Sequence, residues 1–383
     1  MSVLCEKSGF KVIKQNTDSK ARLGSFRSRK GEFPTPAFFP VCTQGTIKGF
    51  SSRELEEIGI QGILVNAYHL FLRPGTKVIK EAGGLHKFMG FPNTIVSDSG
   101  GYQVFSLEKL RKVTASGVEF QSFLDGRTIS LSPVEVINIQ LDLGADIILP
   151  LDECVKFPTA YDYAKIACQR TIDWARESRD VFKGGKGEPL FFGIVQGATY
   201  LDLREICLKK LLDIEVDGIA LGGLSVGELR DSRYNIISFI SDILTKENRP
   251  YLLYFMGYGK PEDILEAISL GVDMFDCVVP TRFGRTGTAF TNKGKIVVRN
   301  APFADDYSPL DEECSCFVCK RFSRAYLRHL INAQEMTGGY LLTYHNVWWY
   351  HNFMKQIRES IQEDKFLEFK EKFLRKFLDA DGG

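Results

Sequence analysis

Eight short apolar runs punctuate the chain, at residues 38–41, 63–68, 94–97, 147–151, 191–196, 218–221, 251–256 and 274–279. They are near-continuous rather than alternating, as expected of strands buried on both faces. Segments of helical period separate most of them. Ser52-Arg-Glu-Leu-Glu-Glu-Ile opens on a cap-type serine with acidic residues in its first turn. Residues 161–182 form a long amphipathic stretch. Helices are also predicted over 201–212, 228–244 and 261–270, the last with Pro261 at a first-turn position. Eight buried strands with intervening helices predict an α/β chain folded as a (β/α)8 barrel over residues 38–281. An open doubly wound sheet is the rival. No G-x-G-x-x-G follows the first strand, so the barrel is preferred.

Two regions break the alternation. Residues 1–37 contain short β-like pieces with Pro34 and Pro36, and predict a small antiparallel cap over one barrel end. Residues 113–132 carry Asp125-Gly126 between alternating arms, a hairpin signal. After the barrel, residues 282–351 read as a metal-binding subdomain and 352–383 as a closing segment with an amphipathic helix over 352–378.

Composition narrows the class. With 44% hydrophobic and 25% charged residues, the 383-residue chain can bury a full core. The net charge of +1 excludes a strongly basic protein but not a local basic face. The start has no apolar signal segment, and no run is long enough to span a membrane. Nine cysteines, mostly single within apolar stretches, fit a reducing cytoplasm better than a disulfide framework.

Barrel enzymes carry their chemistry at the C-terminal strand ends. Here those ends hold Asn66-Ala-Tyr-His69, Asp98-Ser-Gly-Gly-Tyr102, Asp152-Glu-Cys154, Gln196-Gly197, Gly222-Gly223-Leu224, Met256-Gly257 and Asp276. Asp98, Asp152 and Asp276 should therefore meet at one rim. Asp276 interrupts an apolar stretch, where an unpaired charge is costly. A single such aspartate reads more simply as a loop cap or a partner of Arg282. Three on one rim, with Gln196 and paired glycines, point to a site. The residue types suit a purine-like ligand. Carboxylates accept from a guanine N1–H and 2-amino edge, an amide or glycine N–H donates to its O6, and Tyr102 can stack on the ring. Two carboxylates flanking a glycosidic bond can act as nucleophile and acid/base.

Beyond the eighth run lies C-x-C-x2-C at Cys314, Cys316 and Cys319. With one histidine this set fills a tetrahedral zinc shell and leaves no open position, so the metal is structural. His345 is the candidate, with His329 and His351 competing. Basic residues gather nearby: Arg282, Arg285, Lys293, Lys295, Arg299, and then Lys320, Arg321, Arg324 and Arg328 on what reads as one helix. Taken alone, the last four read better as an ordinary solvated helix face. Beside a purine site, contact with an RNA backbone is a second reading.

D-S-G-G-Y-Q-V-F-S-L (98–107), F-G-I-V-Q-G (192–197), L-G-G-L-S-V-G-E (221–228), M-F-D-C-V-V-P-T-R (274–282) and C-S-C-F-V-C with His345 together resemble the bacterial-type queuine tRNA-ribosyltransferases, or tRNA-guanine transglycosylases. The resemblance runs over nearly the whole chain. It implies a zinc-containing (β/α)8 barrel that exchanges guanine at the wobble position of G-U-N anticodons for 7-aminomethyl-7-deazaguanine. By it, Asp276 matches the nucleophile and Asp98 the acid/base. Asp98, Tyr102, Asp152, Gln196, Gly222, Gly223, Leu224 and Met256 match base-binding groups. Arg282 and Arg285 match residues near the anticodon uridines. One structural zinc per subunit falls to Cys314, Cys316, Cys319 and His345. The implied partners are tRNA, through its anticodon loop, and a second copy of the chain.

Some positions depart from the common pattern. Ala67 stands for a usual threonine, Phe283 for a small residue and Tyr344 for an acidic one. Cys154 and Val226 are of the bacterial type and favour the aminomethyl base over bulkier queuine. Alternatives are the same exchange with queuine, an archaeal-type enzyme acting in the D-loop, a non-catalytic tRNA-binding subunit and a zinc-dependent barrel hydrolase. The full acidic set argues against the non-catalytic subunit. The single His69 at the strand ends argues against the hydrolase.

Overall fold

A computed structural model of the chain describes residues 9–101, 111–122, 124–185 and 187–378. All eight apolar runs contain a strand: Ala37–Pro40, Gly62–Asn66, Thr94–Asp98, Ile147–Ile148, Leu190–Val195, Gly218–Leu221, Leu253–Phe255 and Met274–Cys277. They form one parallel sheet in which the first strand pairs with the eighth and the order then descends to the second. A parallel bridge between Val41 and Leu64, with the Cys42 N–H bonded to the Leu64 carbonyl at 2.7 Å, closes the ring. The fold is the expected (β/α)8 barrel. Its helices include Ser52–Ile58, Tyr161–Val181, Leu201–Asp213, Arg230–Leu244 and Pro261–Ser269, close to the predicted spans. The first is capped one residue earlier than expected, by Ser51, whose N–H and hydroxyl both donate to Glu54 Oε2 at 2.9 and 2.6 Å.

Strand alternation divides the core in two. One cluster fills the barrel, with Leu64, Val96, Leu149, Ile194, Ala220, Tyr254 and Met274 pointing inward. The other lies between strands and helices. Glycines admit the largest inward rings. A Cβ on Gly62 would sit 2.1 Å from Phe39, and one on Gly218 2.5 Å from Phe192. The antiparallel strands Phe10–Gln15, Arg22–Ser28 and Gly31–Thr35 plug the N-terminal end, as expected. Phe26 stands edge-on to Phe192, with ring centroids 5.6 Å apart.

That lower end is locked by a recurring device absent from the sequence reading. Asp146, Asp217 and Asp273 precede the fourth, sixth and eighth strands. Each accepts the backbone N–H of a residue on the neighbouring odd strand: Ile95 at 2.7 Å, Phe191 at 2.9 Å and Leu253 at 2.8 Å. Arg29 and Arg22 from the plug bond Asp146 and Asp273.

Residues 111–131 form a three-stranded sheet, Arg111–Thr114, Gly117–Gln121 and Thr128–Leu131. The predicted Asp125-Gly126 turn joins its last two strands. After the barrel come a short helix (Val279–Thr286), a hairpin (Thr288–Thr291, Gly294–Val297) and the helices Phe317–Arg321, Arg324–Asn332, Met336–Gln362 and Phe366–Leu378. Two expectations change here. The helix expected over 352–378 is two helices, because Asp364 adopts a left-handed φ of 59° and accepts from Asn16 Nδ2 at 2.7 Å and the Thr17 N–H at 3.0 Å. The basic helix is also broken. Ser323 caps a new start by accepting the Tyr326 N–H at 3.3 Å.

Asp273→Ala should lower unfolding free energy by about 3–5 kcal/mol, the usual consequence of removing one partner of a buried pair. Asp273 is fully buried and takes Arg22 through two bonds, at 2.8 and 2.6 Å. Denaturant unfolding measures this, and a loss under about 1 kcal/mol would contradict the assignment.

Candidate active site and metal centre

The strand period that fills the barrel also builds its upper mouth. Two residues beyond an inward apolar side chain, the next inward position is polar or glycine: Asn66 after Leu64, Asp98 after Val96, Gln196 after Ile194, Gly222 after Ala220 and Asp276 after Met274. The fourth strand departs from this. Its ladder stops at Ile148, and the Gln140 amide takes both backbone groups of Leu149, at 3.1 and 2.7 Å. Asp152 follows in irregular chain and still reaches Gln196.

The three expected carboxylates share this mouth, and each has different partners. Asp98 is buried and accepts Asn66 Nδ2 at 2.8 Å. Burial first, then the charges of Asp152 and Asp276, push its pKa up to about 7. Asp152 is half-buried and accepts Gln196 Nε2 at 2.6 Å. Enclosure raises its pKa to about 6 against that bond. Asp276 is 4% exposed. It accepts the Tyr254 hydroxyl at 2.5 Å and the Gly257 N–H at 2.7 Å, both on Oδ1. Burial raises it to about 6 despite these donors. Its partners are thus Tyr254 and Gly257 rather than Arg282, which is exposed.

Gln196 lies against the paired glycines. A Cβ on Gly222 would come within 2.7 Å of Gln196 Nε2, and one on Gly223, whose φ is +62°, within 2.2 Å of its Oε1. That buried Oε1 has no hydrogen-bond partner among the described residues. The amide donor expected to face a ligand is bonded to Asp152 in this structure. Leu224 is buried and Met256 half-buried at the edge of the interior cluster. Tyr102 lies outside the described residues.

Asp276 is followed within a few residues by the helix Val279–Thr286, which carries Arg282 and Arg285. Burial and the neighbouring Arg282 hold the Arg285 guanidinium below its ordinary pKa. The more distant basic set is partly spent inside the chain. Arg324 pairs with Asp306 at 2.9 Å and Arg328 Nε bonds the Asn300 carbonyl at 3.0 Å, which leaves Lys320 and Arg321 exposed.

Cys314, Cys316, Cys319 and His345 converge, with all ligand atoms within 4.8 Å of one another. His345 Nδ1 lies 3.7, 3.5 and 3.3 Å from the three sulfurs. A tetrahedral zinc with Zn–S of about 2.3 Å and Zn–N of about 2.0 Å needs roughly 3.5 Å between such atoms. His345 Nε2 lies 2.7 Å from the Phe290 carbonyl, which orients the ring and leaves Nδ1 for the metal. The donor set fits a closed structural zinc site. His329 and His351 are not in the cluster. The adjacent Asn346 donates to the carbonyls of Pro280 and Thr288, both at 3.0 Å, so the metal-bearing helix grips the chain just beyond Asp276.

The departures from the family pattern face inward. Tyr344 packs edge-on against Phe317 at 4.4 Å, Phe283 stacks on Phe290 at 5.7 Å, and Ala67 is buried. The residue that sequence reasoning missed is Tyr254. Its signal was a lone phenol at an inward position of a buried run.

A family model described as queuine tRNA-ribosyltransferase matches residues 17–379. A protein of that name from Caldanaerobacter subterraneus is 51% identical over 96% of this chain and 97% of its own. Another from Halothermothrix orenii is 47% identical over 96% of this chain and 98% of its own. One from Staphylococcus aureus is 46% identical over 96% of each. With the closed barrel, its rim of carboxylates and the Cys3His centre, these likenesses place the chain in the queuine tRNA-ribosyltransferase family of enzymes.

Proposed function

We propose that this enzyme exchanges guanine at the wobble position of G-U-N anticodons for 7-aminomethyl-7-deazaguanine, through a covalent ribosyl-aspartate. The observation that carries the proposal is the trio of enclosed carboxylates with separate partners at one barrel mouth. Asp276 is the nucleophile. Its two bonds fall on Oδ1, so Oδ2 is the oxygen offered to the ribose anomeric carbon. As Oδ2 bonds to that carbon, the bond from carbon to guanine N9 breaks, and guanine leaves with a proton given up by Asp98. The incoming base then gives its N9 proton to Asp98, attacks the same carbon and frees Asp276. The glycosidic bond is held as the ester, so no external energy source is required.

The other groups select the base. Asp98 and Asp152 accept from its N1–H and 2-amino edge, while Gly223 N–H and the Gln196 amide meet its oxygen. Tyr102 and Met256 sandwich the ring. Cys154 and Val226 border the space for the 7-substituent and favour the small aminomethyl group. Arg282 and Arg285 leave the helix after Asp276 toward the anticodon uridines. The zinc site holds that helix in place and takes no part in the chemistry. A second copy of the chain completes the tRNA-holding surface.

Labelled guanine should enter unmodified tRNA-Tyr or tRNA-Asp, and Asp276→Ala should lower the rate by roughly three orders of magnitude or more. Incorporation undiminished by the substitution would remove Asp276 from its role. Competition between the aminomethyl base and queuine identifies the incoming base, and a preference for queuine would overturn the stated choice.

The raised carboxyls make a stability prediction of definite sign. A folded-state pKa above the unfolded value means that folding favours the protonated form. The stability so gained is complete below about pH 4 and is lost as pH rises through about 7 for Asp98. Asp98→Asn should therefore melt above the parent protein at pH 8, with the difference closing at pH 4. A lower melting temperature at pH 8 would contradict burial as the dominant influence on this group.

Cys319→Ser should lose zinc by elemental analysis and weaken tRNA binding or assembly. A metal-free variant with unchanged tRNA affinity, dimerisation and turnover would refute the organising role given to zinc.

A further inference from the structure

Among the described residues, Arg204 is the one arginine with no exposed surface, and none of their carboxylates stands at ion-pair distance from it. It stands on the helix Leu201–Asp213, behind the mouth. Its guanidinium is held by backbone carbonyls instead. Nη1 donates to Val195 at 2.6 Å and Gly222 at 2.8 Å, Nε to Ala198 at 2.9 Å and Nη2 to Gly223 at 3.4 Å. A buried cation whose hydrogen bonds run to carbonyl dipoles, with Glu228 acting only at longer range, is costly, so its position calls for a reason.

The carbonyls it holds belong to the ends of the fifth and sixth strands, which carry Gln196 and Gly223. The Val195 carbonyl also accepts the Gly222 N–H at 3.1 Å. Arg204 therefore closes a joint that strand pairing has begun. The Gly222 carbonyl shares one planar trans peptide with the Gly223 N–H, and the two point in opposite directions. Drawing that carbonyl back onto the guanidinium turns the Gly223 N–H away from Arg204. A carbonyl bonded to a cation is also polarised, which makes the N–H of its peptide a stronger donor. Gly223 leaves the plane free to be set in this way, because its φ of +62° suits glycine.

We propose that Arg204 is a positioning residue for base recognition: it sets the Gly222–Gly223 peptide plane so that the Gly223 N–H meets the exocyclic oxygen of the bound base. It touches neither base nor ribose. The proposal rests on the base-exchange reading above and adds to it the group that aims one of its donors.

The test compares guanine with 6-thioguanine, which keeps the N1–H and 2-amino edge but offers sulfur, a weaker acceptor. Inhibition constants for 6-thioguanine and competing unlabelled guanine are measured against labelled guanine exchange in the full-length enzyme, Arg204→Gln and Arg204→Lys. Arg204→Lys keeps the charge and stem, and carries the comparison if Arg204→Gln does not fold. Melting temperature and zinc content accompany each measurement. In the variants guanine should bind roughly ten-fold more weakly while 6-thioguanine changes by about two-fold or less, so the preference for oxygen collapses. Equal weakening of both bases would reduce Arg204 to a structural role and overturn the proposal, as would unchanged affinities. Parent enzyme that binds neither base would instead overturn the base-exchange reading, and the proposal with it.

Discussion

The two-residue period of a parallel strand governs this molecule more than any single contact. In a closed barrel, each strand sends every second side chain inward. At the lower levels those positions are Leu64, Val96, Ile194, Ala220 and Met274, and they must be apolar because nothing else can fill the space. One step higher, the same rows present Asn66, Asp98, Gln196, Gly222 and Asp276. The site needs no separate scaffold. It is the next layer of the core, with chemistry substituted for packing. Register is therefore shared between stability and function, since a one-residue slip would turn Asp276 outward and Cys277 inward.

The substitution has an energetic consequence. All three rim carboxyls are held above the ordinary carboxylate range, and burial is the leading cause in each case. Burial raises Asp273 at the other end as well, so the aspartates there differ in their partners. Asp146 and Asp273 are fully buried but receive both a backbone N–H and an arginine. They close the barrel where the plug meets it. The same residue type thus closes the barrel below and lines its mouth above, and Asp146 and Asp273 differ from the rim carboxyls in having an arginine partner. Among the described residues Asp276 has donors without a counter-charge, which orients the carboxylate.

Much of this was legible in the chain because buried strands advertise themselves. Each of the eight apolar runs holds a strand, and the strand ends name the rim carboxylates and Gln196. The failures share a cause. Asp146, Asp217 and Asp273 sit one residue before an apolar run, where sequence reads an ordinary loop residue; their work depends on the neighbouring strand, which periodicity does not report. Tyr254 was absorbed into a hydrophobic run, because a phenol counts as apolar until its hydroxyl finds Asp276. The breaks at Ser323 and Asp364 were missed because amphipathic patterns continue across them. A cap and a left-handed residue tied to Asn16 decide those helices, and both are local contacts rather than patterns.

The zinc centre is where the two halves of the molecule meet. His345 orients itself on the Phe290 carbonyl, and Asn346, the next residue, holds the carbonyls of Pro280 and Thr288. Pro280 is four residues beyond Asp276, inside the helix that carries Arg282 and Arg285. That helix lies so close to the metal-bearing one that a Cβ on Gly284 would fall 2.6 Å from the Thr343 Cα. A metal that fixes His345 therefore fixes the exit path of the eighth strand through two adjacent side chains and one close backbone approach. The distance over which it acts is short, so a structural ion can govern where the arginines stand. The long aromatic stack behind it, Phe283 on Phe290 and Phe290 on Trp349, replaces what a small residue at 283 would have left open. It stiffens the same joint from its other side.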